Sequence, residues 1–188
     1  MLKDIAVSVR AWLATLVVCA VLYPLTALAF GRIVVPDRAQ GSLVRDASGQ
    51  VVGSRLIAQA FEREEYLWPR PSAANYNAEA TGGSNLAPSN PALTERARGT
   101  TARLLATTAH PVPGDLVAAS GSGMDPHVTL AGALYQVPRI AHARGVAETR
   151  VEEVVRHSAA SNPWSPPLVN VLEANLALDK NLGASLPR

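Results

Sequence analysis

The stretch Ala119 to Thr129, ASGSGMDPHVT, concentrates the side chains that could do chemistry. Successive backbone amides around Gly121 and Gly123, with the hydroxyls of Ser120 and Ser122, could form a nest that holds an anion. Asp125 and His127 sit beside them, so a nucleophile, a base and an orienting acid fall within one short stretch. The same residues have a plain structural use. Gly-Ser-Gly turns the chain, Asp125-Pro126 shapes the approach to a helix, and Thr129 caps that helix. The structural use is the expectation carried forward, because nearness in sequence does not make a triad.

Gln136, in QVPRIA, is a second candidate. A primary amide can pair bidentately with the edge of an adenine, or it can stay solvated or capping beside Pro138. His142 and His157 read as surface residues, Glu152 and Glu153 as a solvated helix face, and Tyr66 and Trp68 as fasteners of the loop that follows. Other signatures fail on inspection. No glycine precedes a lysine, so a phosphate-binding loop with its lysine is absent. Pro126 stands where a dinucleotide fingerprint needs its third glycine, and Ser120 and Met124 replace the glycines of a nucleophile elbow. The histidines at 110, 127, 142 and 157 lack metal-ligand spacing, and Cys19 is the only cysteine, so neither a metal site nor a disulfide is expected.

The elements that must position these residues form a small mixed α+β domain. Ser42–Arg45 and Gln50–Gly53 read as a hairpin around DASG with Gly49 at the turn. Leu56, Ile57, Ala60 and Phe61 share a helical face, and Thr94–Ala109 is a second helical stretch ended by prolines. Leu116–Ala119 reads as a buried strand. Leu130–Arg144 is a helix stopped by Gly145 and kinked or split at Pro138. Glu148–His157 is a further helix, SNPWSPP a turn or loop, and Leu168–Leu172 a strand before a tail, EANLALDKNLG.

Trp68 to Pro91 has neither helical period nor strand alternation, and between Pro69 and Leu93 only Arg70 and Glu79 are charged. Structureless loops of this length inside a domain are uncommon and usually functional or disordered. Prolines on both sides of Arg70 lower the entropy cost of ordering, and neutral amides and hydroxyls bond without the desolvation cost of charge. Such a segment suits packing on its own domain or against a protein partner, with Trp68, Arg70, Asn75, Tyr76, Asn85 and Asn90 as the candidate contacts. A neutral polar solute such as a sugar is the other ligand it would suit.

Ala11 to Gly31 carries no charge, and Arg10 and Arg32 close its ends. As a helix it would rise about 31 Å, close to the hydrocarbon thickness of a bilayer. Two readings stand: a retained anchor at 11–31 behind a short cytoplasmic N-terminus at 1–10, or a signal peptide cleaved near Ala27-Leu28-Ala29. Either places residues 32–188 outside the cytoplasm. With Lys3, Asp4, Arg10 and Arg32 set aside, the remaining chain holds fourteen basic and fourteen acidic residues, so no nucleic-acid footprint is expected.

Five blocks in order, GSLV with VGSRLIAQAF, YLWPRPSAANYNAEATGGSNLAPSNP, VPGDLVAASGSGMDPHVT, QVPRIAHARG and VNVLEANLALD, resemble the C subunit of the Kdp potassium-transporting P-type ATPase. The resemblance covers nearly the whole chain, including the apolar N-terminal segment, which it implies is kept as an anchor in the bacterial plasma membrane and its lipid. It implies a non-catalytic, single-span subunit of a complex that imports potassium at the expense of ATP. The implied partners are a channel-like potassium-translocating subunit, the ATP-hydrolysing subunit and a very small stabilising subunit. The family is also described as a catalytic chaperone that raises the pump subunit's affinity for ATP. Carried onto this chain, the nucleotide-contacting residues would be Ser120, Gly121, Ser122, Gly123 and Asp125, with Gln136 at the base. An extracytoplasmic domain without a phosphate-binding lysine makes stabilisation of the complex the first expectation, with no cofactor bound independently. The competing expectation is an exported binding protein or hydrolase that uses the Ser120–His127 loop after loss of its leader.

Overall fold

The computed structural model describes residues 1–46 and 48–183, and the chain divides into two units between Leu43 and Val44. The first unit is dominated by one continuous helix, Leu2–Val34, with an 18-residue window of mean hydropathy 2.2 and no buried residue, long and apolar enough to cross a membrane. It is regular α-helix at α1 (Leu2–Leu16) and α2 (Tyr23–Val34), joined by the π-helical Val17–Leu22. Pro24 explains the widened turn. Its ring cannot donate and collides with the carbonyl four residues back, and a π-turn moves that carbonyl aside. The Thr26 hydroxyl donates to the Leu22 carbonyl at 2.8 Å, so one carbonyl near the proline still has a partner. A one-turn helix, α3 (Pro36–Ala39), closes this unit.

The second unit is mixed α and β, as its sequence predicts. The hairpin forms from β1 (Leu43–Arg45) and β2 (Val51–Ser54). Ala47 lies outside the described residues, but Gly49 takes φ +83°, and Asp46 Oδ1 accepts from the amides of Ser48 and Gln50. A three-stranded antiparallel sheet is ordered β3 (His127–Thr129), β5 (Ser165–Asn170), β4 (Ala159–Asn162). Its central strand contains Pro166 and Pro167, which a central strand normally forbids. The register resolves this. Strand β3 meets β5 only at Leu168, Val169 and Asn170, and the β4 pairing is irregular between Ala160 and Asn162, so the prolines fall where the ladder is interrupted.

Helices α6 (Leu130–Tyr135), α7 (Val137–Arg144), α8 (Glu148–His157) and α9 (Val171–Leu182) complete the core. Thr129 caps α6 through the Gly132 amide at 3.0 Å, Gly145 ends α7 at φ +65°, and the helix splits one residue before Val137-Pro138. Val151 and Val155 of α8, Ala174 and Leu178 of α9, Val128 and Val169 of the sheet, and Ile140 of α7 are wholly buried together.

Four expectations need correction. Leu56–Phe61 is not helical: Ala58 N donates to Met124 O at 2.9 Å and Gln59 Nε2 to Val52 O at 2.9 Å, so a partner remote in sequence holds the backbone and the preceding strand holds the side chain. Leu116–Ala119 is not a strand but follows from the single turn α5 (Gly114–Val117), whose Leu116 is buried. The helix placed at Thr94–Ala109 is α4 (Pro91–Arg103), which starts at the Asn90 cap and stops short because Leu105 turns to φ +52°. The last strand ends at Asn170, whose side chain accepts from Glu173 N at 3.2 Å and so starts α9 where a tail was expected. Of SNPWSPP only Pro163-Trp164 is the turn, and the residues on either side belong to β4 and β5.

Candidate functional site

The start of the long loop is held by two side-chain amides that imitate strand partners. Gln136 Oε1 accepts from Trp68 N at 2.8 Å and its Nε2 donates to Trp68 O at 3.1 Å. Asn175 does the same for the preceding residue, accepting from Leu67 N at 2.7 Å and donating to Leu67 O at 3.1 Å. Both amides are 1 % exposed. Each unmade bond at such a site would cost roughly 1–3 kcal/mol, so the paired geometry fixes two consecutive residues against the junction of α6 and α7 and against α9.

Arginines complete the seat. The guanidinium carbons of Arg103 and Arg139 each lie 3.7 Å from the Trp68 ring centroid. Two such groups cannot share one face of a ring, so the indole is sandwiched between cations, while its Nε1 donates to Arg63 O at 3.0 Å. Arg139 also donates to Gln136 Oε1 at 2.7 Å, to Tyr66 O at 2.9 Å and to Glu64 O. Burial, with a smaller push from Arg103 and against the opposing pull of Glu64 and Glu65, lowers the Arg139 guanidinium to about 10. It therefore stays charged at neutral pH. Arg144 bonds to Glu65 O at 2.8 Å and to Asp179 Oδ1 at 2.8 Å, and Tyr66 donates to the other oxygen of Asp179 at 3.0 Å.

Downstream, the loop and the ASGSGMD stretch are built into each other. Ser120 N donates to Pro71 O at 2.9 Å, and Gly82 N donates to Ser122 O at 2.8 Å. Ser72 Oγ donates to Gly123 O at 2.6 Å and accepts from the amides of Ala74 and Tyr76. Gly123 sits at φ +71°, where an added Cβ would come within 2.7 Å of Gly82 O, so glycine is required twice over. Arg70 pairs with Asp125 Oδ2 at 3.1 Å, and Tyr76 donates to Arg70 O at 2.9 Å. Asn75, Tyr76 and Asn85 take left-handed backbone, which asparagine tolerates better than most residues, and Asn90 caps α4.

The residues singled out from sequence thus fall in one place. Asp125 meets Arg70, Ser120 meets Pro71, Ser122 meets Gly82, Gly123 meets Ser72, and Gln136 meets Trp68. Their donors and acceptors are largely engaged with one another. Ser120 Oγ lies 3.2 Å from Ser122 Oγ, Met124 N donates to Ser122 Oγ, and Asp125 N donates to Ser120 Oγ. His127 Nδ1 is 3.5 Å from Asp125 Oδ1, and among the described residues neither serine hydroxyl bonds to that ring. Gly121 and Ser122 reach solvent. Such an arrangement positions a rigid surface. Three groups that matter most, Asn175, Arg139 and Arg144, are absent from the sequence reading. Asn175 did carry a signal, since it lies on the buried stripe of α9 with Val171, Ala174 and Leu178.

Comparison with known proteins gives a consistent result. A family model described as K+-transporting ATPase, c chain, matches residues 5–180. A protein of Parvibaculum lavamentivorans named potassium-transporting ATPase KdpC subunit is 44 % identical over 95 % of this chain and 97 % of its own length. Proteins of the same name from Pseudomonas putida and Gloeobacter violaceus are 46 % and 42 % identical, over 90 % and 95 % of this chain and 91 % and 96 % of theirs.

Proposed function

Because the chain belongs to the KdpC family, the c chain of K+-transporting ATPase, we propose that it is a non-catalytic accessory subunit that assembles and stabilises a potassium importer. The Leu2–Val34 helix anchors it in membrane lipid, with the N-terminus in the cytoplasm and the second unit outside. Its partners are the channel-like potassium-translocating subunit, the P-type ATP-hydrolysing subunit and a very small membrane subunit. ATP and potassium are handled by the complex, and this chain binds no cofactor of its own.

The observation that supports this reading is the interlocked loop. A charge-poor segment fixed by two amide clamps and a bed of arginines is a preorganised surface, and a preorganised surface binds a partner at a lower entropy cost. A hydrolase would need a free nucleophile beside its base, whereas Ser122 and His127 are turned to other partners. Direct nucleotide contact through Ser120–Asp125 and Gln136, the basis of a chaperone role toward ATP, ranks second because the Gln136 amide, both serine hydroxyls and the amides of Ser120, Gly123 and Asp125 are already engaged within the chain.

The test is a mild-detergent pull-down of tagged chain from potassium-starved cells, with partners and N-terminus read by mass spectrometry. The expected result is an intact N-terminus together with a P-type ATPase and a channel-like protein. A solitary chain beginning near Phe30 would overturn the assembly reading and revive the exported one.

A further inference from the structure

A cavity of about 290 Å³ opens between α4 and the Trp68–Tyr76 segment, walled by Arg96, Thr100 and Arg103 on one side and by Trp68, Tyr76 and Leu116 on another. Its charge is one-sided. No carboxylate lines it, Arg96 and Arg103 make no ion pair among the described residues, and the buried Arg96 Nε has no hydrogen-bond partner. Arg103 does donate to Glu62 O at 3.3 Å, but a carbonyl does not neutralise it. Arg139 lies across the same indole, and Arg70, the next cation along, is already matched by Asp125. Arg103 is exposed at the mouth, whereas Arg96 is half-buried with its Nε out of solvent, and a buried donor left unpaired is rare in native proteins. The remaining wall is apolar, from Phe61, Leu104 and Leu116.

We propose that this cavity binds a small organic carboxylate, its oxygens on Arg96 and Arg103 and its apolar body against Phe61, Leu104 and Leu116. A planar carboxylate matches the guanidinium fork, and the volume lies near the lower bound of about 300 Å³ for small-molecule sites, which suits one ring and not a nucleotide. The apolar wall favours an organic anion over inorganic phosphate. The carboxylate has two sources, a free metabolite or an acidic side chain of a partner subunit.

Trp68 is the built-in reporter. In the full chain in mild detergent, with Trp12→Phe and Trp164→Phe leaving it as the only tryptophan, benzoate is titrated at constant ionic strength beside benzamide and inorganic phosphate. The expected result is a saturable change in Trp68 fluorescence with benzoate alone, weakened roughly tenfold or more by Arg96→Gln, as loss of a charged hydrogen bond implies. Arg98→Gln, an exposed position of α4 that does not line the cavity, should leave the affinity unchanged. Gly99→Leu gives a second, independent reading. A Cβ there meets nothing within 4 Å, so the side chain should fill the cavity and block benzoate while the helix gains propensity. An equal response to benzamide or phosphate, unchanged affinity in Arg96→Gln and Gly99→Leu, or no saturable change would each overturn the proposal. Repeating the titration on the co-purified complex separates the sources. A retained response assigns the site to a free anion, and a response lost only on assembly assigns it to a partner's carboxylate.

Discussion

Two tryptophans of this domain occupy opposite situations. Trp68 is 6 % exposed, stacked between two arginines and bonded through its backbone to a buried glutamine. Trp164, at the tip of the β4–β5 hairpin, is 92 % exposed, and its amide donates to Asn162 Oδ1 at 3.0 Å. Both stand next to proline, Trp68 before Pro69 and Trp164 after Pro163, so the adjoining residue alone does not separate them. The difference comes from what lies opposite in space. Gln136 at the α6–α7 junction presents its amide to Trp68, and Arg103 of α4 and Arg139 of α7 present guanidiniums, whereas among the described residues no group bonds to the Trp164 ring. A tryptophan is structural only where the rest of the fold supplies polar partners for the backbone that carries it.

Substitutions can break that contrast. Trp68→Ala should have the largest effect, lowering the stability of the second unit by about 3–5 kcal/mol in urea unfolding, because it empties a filled site and leaves two arginines unstacked. Asn175→Leu should follow at about 2–4 kcal/mol: the leucine fits the buried stripe, but the amide and carbonyl of Leu67 lose their partners. An Asn175→Leu protein as stable as the parent would show that the clamp is incidental. Gly123→Ala should cost about 1–3 kcal/mol by forcing a Cβ into left-handed backbone against Gly82 O. Thr129→Ala should cost about 1 kcal/mol through loss of the α6 cap. Trp164→Ala should change stability by less than about 0.5 kcal/mol, and any effect it has must be read in the assembled complex.

Local signals were read well where local physics decides. The Gly49 turn, the Thr129 cap, the Gly145 stop and the split beside Pro138 all rest on backbone rules confined to a few residues. Errors cluster where distant partners decide. Leu56–Phe61 has a helical apolar face, yet its groups are claimed by Met124 and Val52, and short apolar runs such as Leu116–Ala119 do not distinguish a strand from a helical turn. The site was legible in part. Ser120, Asp125, Arg70, Trp68 and Gln136 were all singled out, but in two separate groups, one read for ligand and one for partner. That the two groups bond to each other depends on a three-dimensional match between segments some fifty residues apart, such as Arg70 with Asp125. Arg139 and Arg144 gave no sign, because an arginine on a helix surface looks solvated until the segment it grips is known.

The clamps also bear on the order in which the domain is made. Leu67 and Asn175 are 108 residues apart, and Trp68 and Gln136 are 68 apart. Contacts of such sequence separation pay the loop-closure entropy before they return any bond, whereas α8 and the β4–β5 hairpin close over short distances. The loop should therefore seat after the helices and sheet have met, and it should be among the first parts to lift off when the domain opens. In the time before it seats, the Trp68 indole and the apolar wall beneath it are open to whatever else is nearby. An assembling complex has the same interval in which to meet a domain still able to adjust, before its surface sets.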